Sequence, residues 1–155
     1  MSDLHADMLE TGRRARAAAV VLAQASADRR TAALTALAQG LTRAAPIILD
    51  ANARDVAAAR AAGLSETLID RLALNPARVE GMTQAVAAIA AVPDPLGVEL
   101  ARWTPANGLD IARVRTPIGV LGVIYESRPN VTADAAALSL RSGNAAILRC
   151  GSDCL

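Results

Sequence analysis

Asn130 is the residue whose type and placement suggest the sharpest chemistry in this sequence. It follows Arg128-Pro129, and a residue before proline is held extended. The chain therefore turns where an apolar run, Ile118 to Tyr125, gives way to helix-forming residues. If that run is a strand, Asn130 stands at its carboxyl end, the edge at which open α/β sheets take ligands. A carboxamide there can donate to a carbonyl oxygen that becomes negative during acyl transfer. It can equally cap the helix that follows. Arg128 offers a guanidinium that grips phosphate or carboxylate at two points, or a salt bridge to Glu126 or Asp134. Arg149-Cys150-Gly151-Ser152 closes a second apolar run. It combines a cation, a small backbone and a hydroxyl, a set that suits ribose or phosphate and is also the make-up of an ordinary turn.

Other reactive types point away from chemistry. Cys150 and Cys154 have no neighbouring His or second Cys pair, so no metal site is expected, and neither has the context of a thiolate nucleophile. His5, the only histidine, stands near the amino terminus and reads as solvated. No acid-base pair or triad is visible. Gly119 and Gly122 lack the spacing of the dinucleotide fingerprint. Arg13, Arg14 and Arg16 read as the wet face of a helix, and Tyr125 and Trp103 as packing residues.

The elements that must position these residues follow from breakers and periodicity. Ser26 caps a helix running to about Arg43, Pro46 opens the next, and Gly63 follows its end. Asp50 and Arg54 support that second helix in acid-first order. Ser65 caps a short helix to about Leu72. Asn75-Pro76 starts another, with Val79, Met82, Val86 and Ile89 on one stripe, which stops before Pro93. Pro93-Asp94-Pro95-Leu96-Gly97 marks a boundary. Val98 to Thr104 and Leu109 to Arg115 flank Asn107-Gly108 and predict a tightly turned β-hairpin with one wet face. Ile118 to Tyr125 predicts a strand covered on both faces, Val131 to Ser142 a helix, and Ala145 to Arg149 a second buried strand, together a βαβ unit. Two parallel strands with one crossover helix leave edges open, so the chain is expected to be the N-terminal portion of a larger protein, with its last residues leading into another helix.

Composition excludes several classes. The 155 residues are 53% hydrophobic, and the 16 basic residues, all Arg, nearly balance 15 acidic ones. Neither the net charge of +1 nor the two aromatics supports nucleic-acid binding. Apolar stretches are broken before the length of a membrane span, and no signal pattern opens the chain. A cytoplasmic protein is expected, with no membrane partner.

The stretch from Val114 to Thr132, containing Tyr125-Glu126-Ser127-Arg128-Pro129-Asn130, closely resembles the signature of the gamma-glutamyl phosphate reductase family, or glutamate-5-semialdehyde dehydrogenases, in the aldehyde dehydrogenase superfamily. Asp134-Ala135-Ala136-Ala137 and Ser142 to Arg149 look like the same family. The resemblance implies an α/β, aldehyde-dehydrogenase-like fold: N-terminal helices, a β-hairpin arm and the incomplete start of a Rossmann-like parallel sheet. It implies residues 1–97 as a helical segment of the cofactor domain, 98–116 as an oligomerisation arm and 117–155 as the first βαβ unit of an NADP-binding domain. The implied reaction is NADPH-dependent reduction of L-glutamyl 5-phosphate to the semialdehyde with phosphate release, in proline synthesis, by a homo-oligomer. Asn130 matches the asparagine that faces the thioester oxygen. Ser127, Arg128 and Pro129 match the turn beside the cofactor, and Arg149, Gly151 and Ser152 match the segment near the adenosine ribose and phosphate. Cys150 stands where the family usually has glycine. The family's nucleophilic cysteine belongs to a downstream motif that nothing here matches, so this chain alone is expected to be inactive. The alternatives are a helical and hairpin oligomerisation module or pseudo-enzyme remnant, and the same fold acting on another acyl phosphate or aldehyde.

Overall fold

A computed structural model describes residues 3–126 and 128–151. Asp3 opens the first helix, α1 (Leu4–Gln24), by accepting a hydrogen bond from the His5 backbone N–H at 3.0 Å. Ser26 then caps α2 (Ala27–Ala61) through the N–H of Arg29. Here the expected pair of helices is a single one, with Pro46 inside it. An interior proline removes one ladder bond and costs ~3 kcal/mol on its own. Pro46 lies on the exposed side, where the carbonyl that loses its partner meets water. The helix is held on both sides of it by packing, Leu34 and Ala38 before and Ala59 after. Asp50 and Arg54 do pair on its surface, at 2.9 Å. By length and composition α2 would also suit a membrane span; in the structure α3, α4 and α5 pack on it.

Ser65 precedes α3 (Glu66–Leu72) without a side-chain cap bond. Asn75 caps α4 (Pro76–Ala91), its side-chain oxygen accepting from the Arg78 N–H at 2.8 Å, with Pro76 at the first helical position. The expected stripe of α4 faces inward. Met82 and Val86 meet Leu34 and Ala38 of α2 and Ala133 and Ala137 of α5 (Pro129–Arg141) in one core cluster. Burial of each larger side chain there is worth about 1.5–3 kcal/mol. A second cluster of Ala59, Ile69 and Leu72 holds α3 to the end of α2.

The hairpin forms from β1 (Glu99–Trp103) and β2 (Ile111–Val114), antiparallel, with Trp103 opposite Ile111 and a bulge between Glu99 and Ala101. Its turn is wider than expected. The Gly108 N–H donates to the Pro105 carbonyl, and only Gly108, not Asn107, has positive φ. Both faces of the ribbon are largely exposed, where one dry face is expected, and Trp103 is half exposed rather than packed.

The βαβ unit has β3 (Val120–Ile124) parallel to β4 (Ala145–Arg149), in register from Val120 opposite Ala145 to Ile124 opposite Arg149, with α5 as crossover. β4 has the expected bounds; β3 is shorter than its apolar run. Ile124 is 85% exposed, so the cover expected on both faces of β3 is absent among the described residues, where helices α1 and α5 pack mainly against β4. The fold is α/β, with two separate two-stranded sheets among the described residues.

A polar junction ties the helices to this unit. Arg30, 3% exposed, donates to the Asp94 carboxylate at 2.5 Å and to the Ala25 carbonyl. Arg141 reaches from the end of α5 to Thr31 Oγ1 at 2.8 Å and to the Val92 carbonyl. Asp94 also accepts from the Leu96 N–H at 3.1 Å. Leu96 in turn covers Gly143, whose φ is +71° and where a Cβ would stand 2.7 Å from Leu96 Cδ1. Burial pushes the Asp94 carboxyl up, but the Leu96 N–H, Arg30 and Arg141 outweigh it and hold the group below its ordinary value of 3.8. A lowered folded pKa stabilises at higher pH: the contribution is complete above the ordinary value and disappears as pH falls through the lowered one. Asp94→Asn is therefore expected to lower unfolding stability at pH 7 by ~3 kcal/mol, since it leaves Arg30 buried without a counter-charge. It should also remove the acid loss that Asp94 contributes. Urea unfolding at pH 7 and below pH 3.8 checks both, and equal stability of variant and parent at pH 7 would contradict the assignment.

Candidate functional site

The turn after β3 differs from expectation in one respect that decides the reading of Asn130. Arg128, with φ −132° and ψ 96°, is the residue that flanks α5; Pro129 takes the first turn and Asn130 lies inside the helix. The capping reading of Asn130 is thus overturned, because the pre-proline residue already supplies the extended cap backbone. The exposed Asn130 amide donates to Asp134 Oδ2 at 3.3 Å, one turn on. An amide carries two N–H donors, and among the described residues the second has no partner.

The salt-bridge reading of Arg128 also fails. Among the described residues its exposed guanidinium makes no ion pair; Glu126 lies 3.8 Å from Arg71 instead. Tyr125 shares a 2.6 Å hydrogen bond with Thr132, which fastens the strand end to α5, and its N–H donates to the Arg149 carbonyl at 3.1 Å. The carboxyl ends of β3 and β4 are thereby side by side. Arg149 is exposed there, its guanidinium donating to the Cys150 carbonyl, and Gly151 follows, half-buried. Two exposed guanidinium groups and a glycine at the carboxyl edge of a parallel pair suit the anionic backbone of a dinucleotide. The remaining predicted cofactor residues, Ser127 and Ser152, lie outside the described residues, as does Cys154.

A groove of about 460 Å³ opens between α3, α4 and the start of α5. Arg128, Pro129 and Asn130 form one wall, whereas Arg149 and Gly151 do not line it. Opposite stand Arg71 and Arg78. Arg78 is spent within the helices, on the Asp70 carboxylate at 3.0 Å and on the carbonyls of Asp70 and Ala73. This wall is clamped from beneath by Asn52 of α2, whose amide donates to the Leu72 carbonyl at 2.9 Å and whose oxygen accepts from the Leu74 N–H at 2.6 Å.

Sequence reasoning does not find the groove. Arg71 is remote from Arg128 in the chain, and no local spacing joins them. Asn52 does leave a trace: it shares a helical stripe with Val56 and Ala59, and a polar residue on an apolar stripe signals a buried partner. Asn52→Ala is expected to cost ~2–4 kcal/mol, because two backbone groups lose their partners out of reach of water. Thermal or urea unfolding measures this, and a loss within about 0.5 kcal/mol, the ordinary surface range, would contradict the clamp.

No family model matches the chain. Over 152 residues, 98% of its length, it is 59% identical to the gamma-glutamyl phosphate reductase of Caulobacter sp. strain K31. It spans 36% of that relative, about a third of the length of the curated relatives it matches. The gamma-glutamyl phosphate reductase of Thermotoga maritima superposes with a TM-score of 0.90 at 44% identity, covering 94% of this chain and 35% of that one. A Bacillus subtilis protein assigned as an aldehyde dehydrogenase superposes with a TM-score of 0.62 at 18% identity, over 90% of this chain and 28% of that one. The last likeness concerns fold alone, and the fold is that of an aldehyde dehydrogenase, represented in part.

Proposed function

From a chain that belongs to the gamma-glutamyl phosphate reductase family and matches its N-terminal portion, we propose that the protein carrying it reduces L-glutamyl 5-phosphate. The products are L-glutamate 5-semialdehyde and phosphate, the reductant is NADPH, and the step belongs to proline synthesis in the cytoplasm. The observation that carries this reading is the 59% identity across nearly the whole chain. Asn130 at the carboxyl end of β3 supports it.

In this reading a cysteine thiolate, from a motif this chain does not match, attacks the acyl carbon. The carbon–oxygen bond to phosphate breaks, phosphate leaves, and a thioester remains. During attack the carbonyl oxygen becomes negative, and the Asn130 N–H not held by Asp134 donates to it. Asp134 orients the amide by accepting its other N–H. Ser127, Arg128, Pro129, Arg149, Gly151 and Ser152 would hold the dinucleotide, whose nicotinamide supplies hydride when bound. Arg128 and Arg149 neutralise its phosphates, and the missing side chain at Gly151 allows close approach.

The same reading assigns 1–97 to the helical segment of the cofactor domain, 98–116 to an oligomerisation arm and 117–155 to the first unit of the NADP-binding domain. The exposed faces and edges of the hairpin suit an arm that pairs with another subunit. The chain by itself is not expected to turn over, for want of the thiolate.

Asn130→Ala in the full-length protein is expected to lower kcat about 100-fold, the loss of ~3 kcal/mol of oxyanion stabilisation, with KM little changed. Because Asn130 caps nothing, the melting temperature should stay near that of the parent. Steady-state kinetics and a thermal melt on the one variant check this, and a normal kcat would remove Asn130 from the chemistry.

A further inference from the structure

The groove between α3, α4 and α5 lies beside Asn130, and the oxyanion role does not account for its charges. Its volume of about 460 Å³ falls in the range of small-molecule sites. Three arginines and two aspartates line it, and their engagements differ. Arg78 has its donors occupied by α3, with Asp70 as its counter-ion. Among the described residues Arg71 has only Glu126, at 3.8 Å and mostly exposed, too far for a hydrogen bond. Arg128 has no ion pair among the described residues. Asp134 gives one oxygen to Asn130 at 3.3 Å, and its second oxygen remains as an acceptor. Between the charged groups, Met82 supplies apolar surface. Gly81 leaves the α4 wall open: a Cβ built there meets nothing within 4 Å.

Resting on the reductase reading, we propose that this groove receives the α-amino-carboxylate end of the substrate and that Arg71 is the residue that selects for it. Arg71 forms a two-point pair with the α-carboxylate, exchanging its loose contact with Glu126 for a close one. The free oxygen of Asp134 accepts from the ammonium. The substrate methylenes run past Met82 towards Asn130, which delivers the acyl carbon to the oxyanion donor. Zwitterion recognition explains why cations and anions share one small groove, where a purely anionic ligand would need only the former.

The full-length protein, assayed by phosphate-dependent oxidation of glutamate 5-semialdehyde with NADP, tests this. Arg71→Gln is expected to raise KM for the semialdehyde about tenfold or more while kcat and KM for phosphate stay within about threefold. Arg71→Lys should recover part of the loss, since charge returns without the two-point geometry. Gly81→Leu fills the groove from a helix position with open space, so it should raise the same KM without lowering the melting temperature. Against butanal, which lacks the amino-carboxylate, Arg71→Gln should match the parent. An unchanged semialdehyde KM in both Arg71→Gln and Gly81→Leu, with an active parent, overturns the groove assignment and leaves the reductase reading intact. A loss that falls on phosphate instead also overturns it. A folded parent with no phosphate-dependent turnover overturns the reductase reading itself and the groove assignment with it.

Discussion

Two buried arginines determine how the helical part of this chain meets its parallel strands. Arg30 and Arg141 converge on the segment between α4 and the hairpin, one holding Asp94 and the other the Val92 carbonyl. Taking a guanidinium out of water is costly unless its donors find partners, and the partners these two find tie α2, the end of α4 and the end of α5 together. The satisfaction is incomplete: the Nε atoms of both arginines are buried without a partner among the described residues. A partly satisfied network is a poor way to gain stability, and an apolar isostere often does as well. What it does supply here is geometry, since sliding α5 along α2 by one turn would take the Arg141 guanidinium away from Thr31 and the Val92 carbonyl.

That geometry carries through to the site. With the end of α5 anchored at Arg141, its start is placed over α4, where Ala133 and Ala137 pack against Met82 and Val86. The small residues on α5 let the two helices approach closely, and the groove opens where that packing ends. Asn144 sets the strands in turn: its side-chain oxygen accepts from the Gly119 N–H at 2.8 Å, and its amide donates to Ser142. β3 therefore starts level with β4, and their carboxyl ends bring Tyr125 and Arg149 together. The positions of Arg128 and Asn130 are consequences of contacts made at the opposite end of the same helix.

The sequence displays some of this plainly and the rest not at all. Caps at Ser26 and Asn75, the stripe on α4 and the bounds of β4 are local, decided by residues within a turn or two of one another. Pro46 misleads because a local penalty of ~3 kcal/mol is outweighed by packing with residues far along the chain. Asn130 reads as a cap because asparagine favours that role, yet the proline before it shifts the helix start by two residues. β3 reads as doubly covered from its apolar run, but in this structure Ile124 is open. The groove depends on Arg71 and Arg128 coming together across three helices, and no periodicity encodes that. The resemblance around Asn130 conveys the family through a short specific stretch, while Asn52, Arg30 and Arg141, which hold that stretch in place, are scattered single residues.

The central claim is that the fold delivers an acyl carbon to Asn130 for exchange between phosphate and hydride chemistry, and the phosphate requirement of the reverse reaction tests it most directly. With glutamate 5-semialdehyde and NADP, the full-length protein should form NADPH only when inorganic phosphate is present, because phosphate must release the acyl group from the thioester. One phosphate should be consumed per NADPH formed. Oxidation at the same rate without phosphate, yielding free glutamate, would mean that water releases the acyl group, as in a hydrolytic aldehyde dehydrogenase. That result would contradict the account.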